Sequence, residues 1–560
     1  MPTKKRAVLC ALNSQYVHVN LAVHYIKAYA DAHSAHVSCM ICEHTVNQPL
    51  DEVLRDICAA EPDIAAFSCY IWNITRVREL GEQLKARLPH TFIVLGGPEV
   101  SSNPDQYLAL PWVDYVQCGE GERAMTLLFD RLAQNLPVPD GFGICYKNDS
   151  KSHLAPPFFE RDLTVLESPY TAEYLAALPG RIAYVEASRG CPFSCAFCLS
   201  GACRGVRTFD MAYVKNALLL LWRSGARVVK FIDRTFNADL RRADDILSFL
   251  LAHYDTEPRG VCFHFEVAAD LLAESTLALL AAAPVGFFQI EAGLQSFNTR
   301  TLAAVTRKTD LDKLCRNVRR VVSVGNVHTH VDLIAGLPYE DYAGFADSFD
   351  KAYALGADML QLGFLKLLYG SALRDDANQY GFVFQSEPPY EIRATKWLTE
   401  EEVCRLKAAA DACDKIHNSG RFRRSLGYVL DVTGMRPFDL FCGFGAAESM
   451  PLDAYTARVF AYFGSLAGVD RARLRDLLCC DRLSSGGTRL PDCLKIPDGR
   501  LALAVQALAR RPDTAPTPGI QRTVCLLYSQ RQAVYADFPP TDRKRDSVLH
   551  FVPFEALGID

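Results

Sequence analysis

At 560 residues the chain exceeds what one hydrophobic core organises, and roughly two to four domains are expected. Its 49% apolar and 22% charged residues are ordinary for a globular protein, and a net charge of −5 gives no electrostatic case for nucleic acid or an anionic membrane. The 20 cysteines are scattered through apolar segments rather than framing a small disulfide scaffold, which suits a reducing cytosol. The apolar runs Ala7–Leu12 and Ala217–Trp222 are too short for a signal peptide or a bilayer span, so the chain reads as cytoplasmic and unanchored.

From residue 5 to about 135, short apolar strands alternate with helices. AVLCAL precedes Leu21–His33, HVSCMICEH precedes LDEVLRDICAAE, and IAAFSCYIW precedes ITRVRELGEQLKARLP. TFIVLGG then precedes PDQYLAL, and YVQCGEGE precedes RAMTLLFDRLAQ. This rhythm predicts a parallel, doubly wound (Rossmann-like) sheet with ligands at the carboxyl ends of its strands, which read NSQYVH, SCYIWN, GGPEVS and GEGE. Proline-rich residues 136–178, with a hairpin at GICYKNDSKSHL, read as a connection wrapped over the surface. From Arg181 the strands IAYVEAS, VVKFID, CFHFEVA, FFQIEAG, VHTHVDLIAG and MLQLGFLK alternate with helices such as Met211–Arg223 and Asp239–His253. Six such units predict a partial or full parallel barrel with its chemistry at the strands' carboxyl ends. After Gly370 the rhythm breaks: residues 373 to about 430 read as helical, followed by a mixture with possible strands VCLLYS and SVLHFV. The expected class is α/β, with a doubly wound domain over 1–140, a linker and hairpin over 141–178, a partial (β/α)6 barrel over 179–372 and a mostly helical α+β domain over 373–560.

Chemistry concentrates in CPFSCAFC, where Cys191, Cys195 and Cys198 follow the first barrel strand directly. Thiolates at this spacing can ligate three irons of a [4Fe–4S] cube and leave the fourth iron to a chelating ligand. Structural zinc, with Cys203 as a fourth ligand, is a competing reading, and an unligated buried cluster is another. The motif C-x3-C-x2-C, with Phe197 before its last cysteine, is followed in order by KFIDRTFN (Lys230–Asn237), EVAADLL from Glu266, EAGLQS (Glu291–Ser296), DLIAGLPYE (Asp332–Glu340) and FLKLLYGS. This series resembles the radical S-adenosylmethionine (SAM) superfamily. The resemblance implies a cluster that binds SAM through its amino and carboxylate groups and splits it by one electron to a 5′-deoxyadenosyl radical. Carried over by position, Phe197 packs near the adenine, and Asp233 approaches SAM although the usual Gly-Gly-Glu triplet is absent. Glu266, Gln295 and Ser296 contact the ribose or methionine part, and Ile334 the adenine. On the residues alone, strand-end acids can equally cap the next helix and Ile334 can be core.

A doubly wound domain ahead of such a barrel is similar to the cobalamin (B12)-binding members of that superfamily. LGGPEVS (Leu95–Ser101) and CGEGE (Cys118–Glu122) match loops that cradle the corrin there, which implies cofactor contacts at Gly96, Gly97, Glu99, Gly119 and Gly121. A wide, flat ligand needs small residues at such a rim, although GGP can also be a plain turn. His18, in YVHVNL, lies where many cobalamin domains carry Asp-x-His-x-x-Gly, but the aspartate and glycine are missing. Without a carboxylate to orient the imidazole, the resemblance implies cobalamin but not its axial ligation by His18. Methylthiotransferases are a rival with the same domain order, since Cys10, Cys42 and Cys69 fall near the first three strands; GGP, however, ends the fourth without a cysteine.

The pattern that also includes FSCYIWN and PPYE looks closest to a bacterial subgroup with an extra C-terminal domain of unknown function, over residues 5 to about 430. There SEPPYEIRATKWLT (Ser386–Thr399) implies an extension closing part of the barrel, with Tyr390, Arg393 and Lys396 either lining a cavity or forming a solvated surface. TDRKRDS (Thr541–Ser547) reads as an exposed turn and Cys479–Asp481 as buried structure. The expected function is methylation of an unactivated carbon of a small-molecule or peptide substrate, using the [4Fe–4S] cluster, SAM and cobalamin, with an electron donor such as flavodoxin or ferredoxin and neither nucleic acid nor membrane. Two rivals stand beside it: the same cofactors without methyl transfer, giving ring contraction, oxidation or cyclisation, and a non-catalytic cobalamin or iron–sulfur sensor.

Overall fold

The structure, a computed structural model, describes residues 4–148, 151–202, 205–511, 514, 520–538 and 547–559. Cys203 and residues 541–546 of TDRKRDS lie outside the described residues. The chain divides into two compact units, one of Met1–Glu340 with Phe364–Leu398, the other of Asp341–Gly363 with Thr399–Asp560.

The first unit opens with strands β1 (Lys5–Asn13), β2 (Val37–Thr45), β3 (Ile64–Ser68), β4 (Phe92–Gly96) and β5 (Tyr115–Gln117), parallel and in the order β2-β1-β3-β4-β5. β1 shows why both faces are covered. Val8, Cys10 and Leu12 enter one apolar cluster with Val53, Leu54 and Ile57 of one helix and Ile74 and Val77 of the next. Ala7, Leu9 and Ala11 enter the opposite cluster with Val23, Ala30 and Phe129. A strand buried on both sides reads as an unbroken apolar run, as AVLCAL does. The expected hairpin forms as β6 (Ile144–Asn148) and β7 (Lys151–His153). It does more than cross the surface. β6 pairs antiparallel with β5, Val116 opposite Cys145, and Ile144 and Cys145 are buried, so the hairpin extends the sheet.

The barrel strands of this unit are β8 (Ile182–Val185), β11 (Val228–Phe231), β12 (Cys262–Val267), β13 (Phe288–Gln295) and β14 (His328–Ala335). They are parallel, in the order β14-β13-β12-β11-β8. Between β8 and β11, β9 (Ser188–Cys191) and β10 (Gly205–Thr208) form a short antiparallel pair flanking the cysteine loop. Along β13 the residues Phe288, Ile290, Ala292 and Leu294 are buried, while Gln289, Glu291, Gly293 and Gln295 take the other face; β14 alternates the same way, with His328, His330 and Asp332 opposite Thr329, Val331 and Leu333. A strict period of two places the charged and imidazole side chains of β13 and β14 on one side of the sheet, with Thr329 the polar residue on the other. The sixth predicted strand forms over Met359–Phe364.

Residues 383–394, expected as helix, instead pair as a short antiparallel ladder, Val383–Phe384 with Ile392–Ala394. Pro388 and Pro389 lie between these strands and can neither donate to a helix nor tolerate a helical predecessor. The second unit is mostly helical, from Tyr342–Tyr353 through Glu400–Cys413, which starts on a reciprocal Thr399–Glu402 cap, to Arg500–Arg510. It ends in a three-stranded antiparallel sheet of Gln521–Leu527, Gln532–Phe538 and His550–Pro553, where VCLLYS and SVLHFV were expected as strands. Cys479, Cys480 and Asp481 are buried there. Among the described residues no helix is long and apolar enough to cross a membrane.

Candidate active site

Cys191 closes β9, and Cys195 and Cys198 follow in a turn held by the Cys198 amide donating to the Cys195 carbonyl at 3.0 Å. The loop is pinned from outside by Ala196, whose amide donates to the Val305 carbonyl at 2.9 Å and whose carbonyl accepts from the Leu373 amide at 3.0 Å. All three cysteines line one cavity of about 200 Å³, with Phe197, Glu266, Gln295, Arg307 and Asp332. Each sulfur has a polar neighbour: Thr235 Oγ1 at 3.5 Å from Cys191, Arg307 Nη1 at 3.6 Å from Cys195, and the Ser200 amide at 3.4 Å from Cys198. The Arg307 and Ser200 donors aimed at sulfur favour thiolate and tune a cluster held by it, while the Thr235 hydroxyl donates to the Arg234 carbonyl at 2.8 Å. The Cys195 thiol is nonetheless pushed up, by burial above all, with Arg307 opposing and Cys198 and Cys191 adding to it. Among the described residues no three His, Cys, Asp or Glu side chains gather about a single ion position; a cube differs in giving each thiolate its own iron.

The rest of the wall is the polar face of the barrel. Register sets Lys230 beside His264, Glu266 beside Glu291, and Gly293 beside Asp332. Lys230 Nζ lies 3.6 Å from Glu266 and 3.4 Å from Glu291, and His264 Nε2 lies 3.0 Å from Glu291. His264 and Lys230 hold the Glu291 carboxyl below its ordinary range against the effect of burial. Asp332 goes the other way, pushed up to about 8 by burial and then by Glu291 and Glu266. Gln295 sits at φ +71° at a register shift that ends β13, and a Cβ on Gly293 would meet its Nε2 at 2.3 Å, so the glycine makes room for the amide. Gln295 Oε1, Asp332 Oδ1 and Arg307 Nε are buried without a hydrogen-bond partner. Two orphan acceptors and one orphan donor beside three thiols fit a polar, zwitterionic ligand such as SAM.

Asp332 yields a pH prediction. Its folded carboxyl keeps a proton that the unfolded chain releases above 3.8, so its contribution to stability falls as pH rises from 3.8 to about 8. In the chain without cofactors, Asp332→Asn is expected to melt measurably higher than wild type at pH 8 and almost equally at pH 4. Parallel melting curves at both pH values would show that Asp332 is ionised in the folded chain.

The other residues singled out by sequence sit differently. Asp233 is buried behind the cysteine loop, accepting from the Ala187 amide at 2.9 Å and Ser188 Oγ at 2.6 Å, and burial lifts its carboxyl to about 7. Ser296, also buried, donates to Glu340 at 2.6 Å and accepts from the Asn298 amide at 2.9 Å. Ile334 packs with Phe197 and Ala196 against one apolar cluster. None of the three lines the cavity. Sequence reading passed over Lys230, His264, Asp332 and Arg307 as individual site residues. Polar residues recurring every second position in otherwise apolar strands were the available signal for the first three.

At the carboxyl ends of the first sheet lies a second, mostly apolar slot of about 80 Å³, lined by Gly96, Gly97, Gly119 and Gly121 with Ala22, Ile26, Ser68, Tyr70 and Met125. Gly97 (φ +112°) and Gly119 (φ +95°) have no room for a Cβ, which would come within 2.5 Å of the Cys69 carbonyl oxygen and 2.1 Å of that of Phe158. These two glycines let neighbouring backbone segments cross closely beneath the slot that they line. The slot's small residues and apolar walls fit part of a wide ligand such as a corrin. Glu99 does not line the slot. His18 does not line it either; its Nδ1 lies 2.5 Å from the Tyr184 hydroxyl on β8.

The two sites share a buried ionic node. Arg189, two residues before Cys191, reaches Glu122 at 2.6 Å, Glu186 at 2.9 Å and Glu120 at 3.5 Å, over the rings of Tyr25 and Phe209. Arg207 on β10 pairs with Glu120 at 2.6 Å. The acids of GEGE thus anchor the cysteine loop.

Residues 8–129 match the B12 binding domain family, residues 185–352 the radical SAM superfamily, and residues 378–450 a protein family of unknown function (DUF4080). The chain is 27% identical over 326 residues to a 2-(S-pantetheinyl)-carbapenam-3-carboxylate methyltransferase of Streptantibioticus cattleyicolor, covering 53% of this chain and 45% of that protein. It is 27% identical over 345 residues to the cobalamin-dependent radical SAM methyltransferase TokK of Streptomyces tokunonensis, covering 55% and 47%. The matches thus span about half the length of these relatives. Among solved structures, OxsB with aqua-cobalamin bound superposes with a TM-score of 0.59 over 91% of this chain and 76% of that one, at 14% identity. TsrM of Kitasatospora setae, with tryptophan and a SAM analog bound, gives 0.56 over 68% and 78%, at 16% identity. At such identities the likeness establishes the fold.

Proposed function

We propose, for a chain that belongs to the cobalamin-binding radical SAM enzymes, methylation of an unactivated carbon on a small-molecule or peptide substrate. The observation that carries this reading is the pairing, within one unit, of a three-thiol cavity rich in orphan polar atoms with a glycine-rimmed slot at the sheet's carboxyl ends. When bound, the [4Fe–4S] cluster with SAM and cobalamin would together supply hydrogen-atom abstraction and a transferable methyl group. Cys191, Cys195 and Cys198 would hold three irons and leave the fourth to SAM. Gln295, Glu266 and Asp332 offer acceptors to its amino and ribose groups, Arg307 offers a donor, and Phe197 an apolar face. Gly96, Gly97, Gly119 and Gly121 would let the corrin reach the backbone, with part of the ligand in the slot and the rest across the strand ends. Both relatives above are named as methyltransferases, which favours methyl transfer over other radical chemistry. We place the enzyme in the cytoplasm, fed by a flavodoxin or ferredoxin and independent of nucleic acid.

The test is anaerobic reconstitution of the chain with iron, sulfide, hydroxocobalamin and SAM under a low-potential reductant. Mass spectrometry is expected to find 5′-deoxyadenosine together with S-adenosylhomocysteine, and a methylated product once a substrate is added. Deoxyadenosine without S-adenosylhomocysteine would replace methylation by oxidation, cyclisation or rearrangement. A chain that keeps its cluster and never cleaves SAM would be a sensor.

A further inference from the structure

The segment Phe364–Leu398 folds with the first unit, although its later part, from residue 378, falls in the stretch matching the family of unknown function. It runs back as a strap, with the Leu365 amide donating to the Ala335 carbonyl at 2.9 Å and the Leu367 amide to the Tyr390 carbonyl at 3.0 Å. Its contact with the glycine loops is close. A Cβ on Gly370 (φ +84°) would lie 2.2 Å from Ser102 Oγ, so backbone of the strap lies directly against the residue that follows the turn Pro98–Ser101.

That turn follows Gly97 and is tied on both sides. Ser101 Oγ donates to the Gly97 carbonyl at 2.8 Å and accepts from the Gly119 amide at 3.2 Å, so one hydroxyl links the two positive-φ glycines of the slot. On the other side Glu99, 5% exposed, points away from the slot. Its Oε1 accepts from the Tyr390 hydroxyl at 2.6 Å and from the Tyr107 hydroxyl at 3.1 Å. Two phenols take the place of a cation around a buried carboxylate, an arrangement that fixes direction better than a flexible ion pair. Tyr390 is itself held: it is 2% exposed, at φ +56°, a conformation rare for an aromatic residue, and Arg374 packs over its ring and that of Tyr369 at 4.8 and 3.5 Å. On the far side Arg78 stands over the Tyr107 ring and reaches Glu387 of the strap at 3.4 Å.

We propose that Tyr390 is a positioning residue for cobalamin: through Glu99 it fixes the turn that sets the Gly97 and Gly119 rim, which gives the first part of the domain of unknown function a role in loading the corrin. The proposal rests on the reading of the slot as a cobalamin site. It predicts communication over 291 residues of sequence through one hydrogen bond.

The experiment is an anaerobic titration of full-length, cluster-loaded protein with hydroxocobalamin, read by the corrin absorbance bands, for wild type, Tyr390→Phe, Glu99→Gln and Glu99→Ala. Tyr390→Phe keeps the ring and removes only the donor. It is expected to weaken binding roughly tenfold, the scale of one lost hydrogen bond to a charged group, and to shift the bands of the bound corrin, with iron content unchanged. Glu99→Gln keeps an acceptor oxygen and is expected to bind within about threefold of wild type, less than half the free-energy loss of Tyr390→Phe. Glu99→Ala should match or exceed the loss in Tyr390→Phe, and the double variant should lose no more than Glu99→Ala alone. Tyr390→Phe binding hydroxocobalamin with wild-type affinity and spectrum, whatever its melting temperature, would overturn the proposal. Failure of the wild type to bind hydroxocobalamin would overturn the cobalamin reading beneath it.

Discussion

Replacing Cys191, Cys195 and Cys198 together with alanine is expected to leave a folded chain that has lost its iron, its absorbance at roughly 400 nm and all formation of 5′-deoxyadenosine from SAM. The three thiols are where the first barrel strand delivers its loop, and among the described residues no other cysteine lines the cavity. Folding should survive because the loop's position is set by others: Ala196 by Val305 and Leu373, and the strand pair by Asp233 through Ala187 and Ser188. Cys195 is the most enclosed of the three, at 8% exposure, and its loss also strips Arg307 of its sulfur contact. Cys195→Ala alone is therefore expected to be as inactive as the triple variant. The reconstituted wild type should hold about four irons per chain and the triple variant almost none. Zinc in place of iron in the wild type, or persistent deoxyadenosine in the triple variant, would remove the basis for the cluster at this site.

What the sequence revealed follows the range of the interactions. The cysteine loop and the glycine loops are local: C-x3-C-x2-C follows a strand, and GGP and GEGE end strands, so motif and place coincide within a few residues. The doubly wound sheet was legible because β1, β3 and β4 are buried on both faces and read as apolar runs. Contacts made across the chain left no local trace. Arg189 meets Glu122 over 67 residues, Arg207 meets Glu120 over 87, and Tyr390 meets Glu99 over 291. Glu99 was singled out with the GGP loop as a cofactor contact, yet its side chain turns to the strap, where its Oε1 accepts from the Tyr390 hydroxyl. Asp233 and Ser296 likewise lie in the motif segments, but each spends its hydrogen bonds inside the fold, Asp233 on the Ala187 amide and the Ser188 hydroxyl, Ser296 on Glu340 and the Asn298 amide.

Arg189→Ala is expected to destabilise the first unit by about 3–5 kcal/mol, the scale seen when one partner of a buried ion pair is removed. The guanidinium side chain is 9% exposed and its acids Glu122, Glu186 and Glu120 are 7%, 14% and 16% exposed, so solvent screens the node little. Without it, Glu122 and Glu186 have no cation within ion-pair distance among the described contacts, and Glu120 keeps only Arg207. The node also has a pH signature. Burial raises Glu120, but Arg207 and Arg189 outweigh it and hold the carboxyl below its ordinary 4.5. A depressed acid stabilises the fold above 4.5 and loses that contribution as pH falls through its folded value. The gap between wild type and Arg189→Ala should therefore be widest at neutral pH and close below 4.5, as protons replace the missing cation. Arg189→Lys keeps the charge but not the planar fork that spreads Nε, Nη1 and Nη2 over Glu186, Glu120 and Glu122, and should fall between the two. Urea unfolding at pH 7 and pH 4, followed by hydrogen exchange at β9 and in the GEGE loop, checks this. Because Arg189 sits two residues before Cys191 and the GEGE acids sit beside Gly119 and Gly121, the same variant should lose iron and hydroxocobalamin together. Loss of one without the other would show that the two sites are held independently.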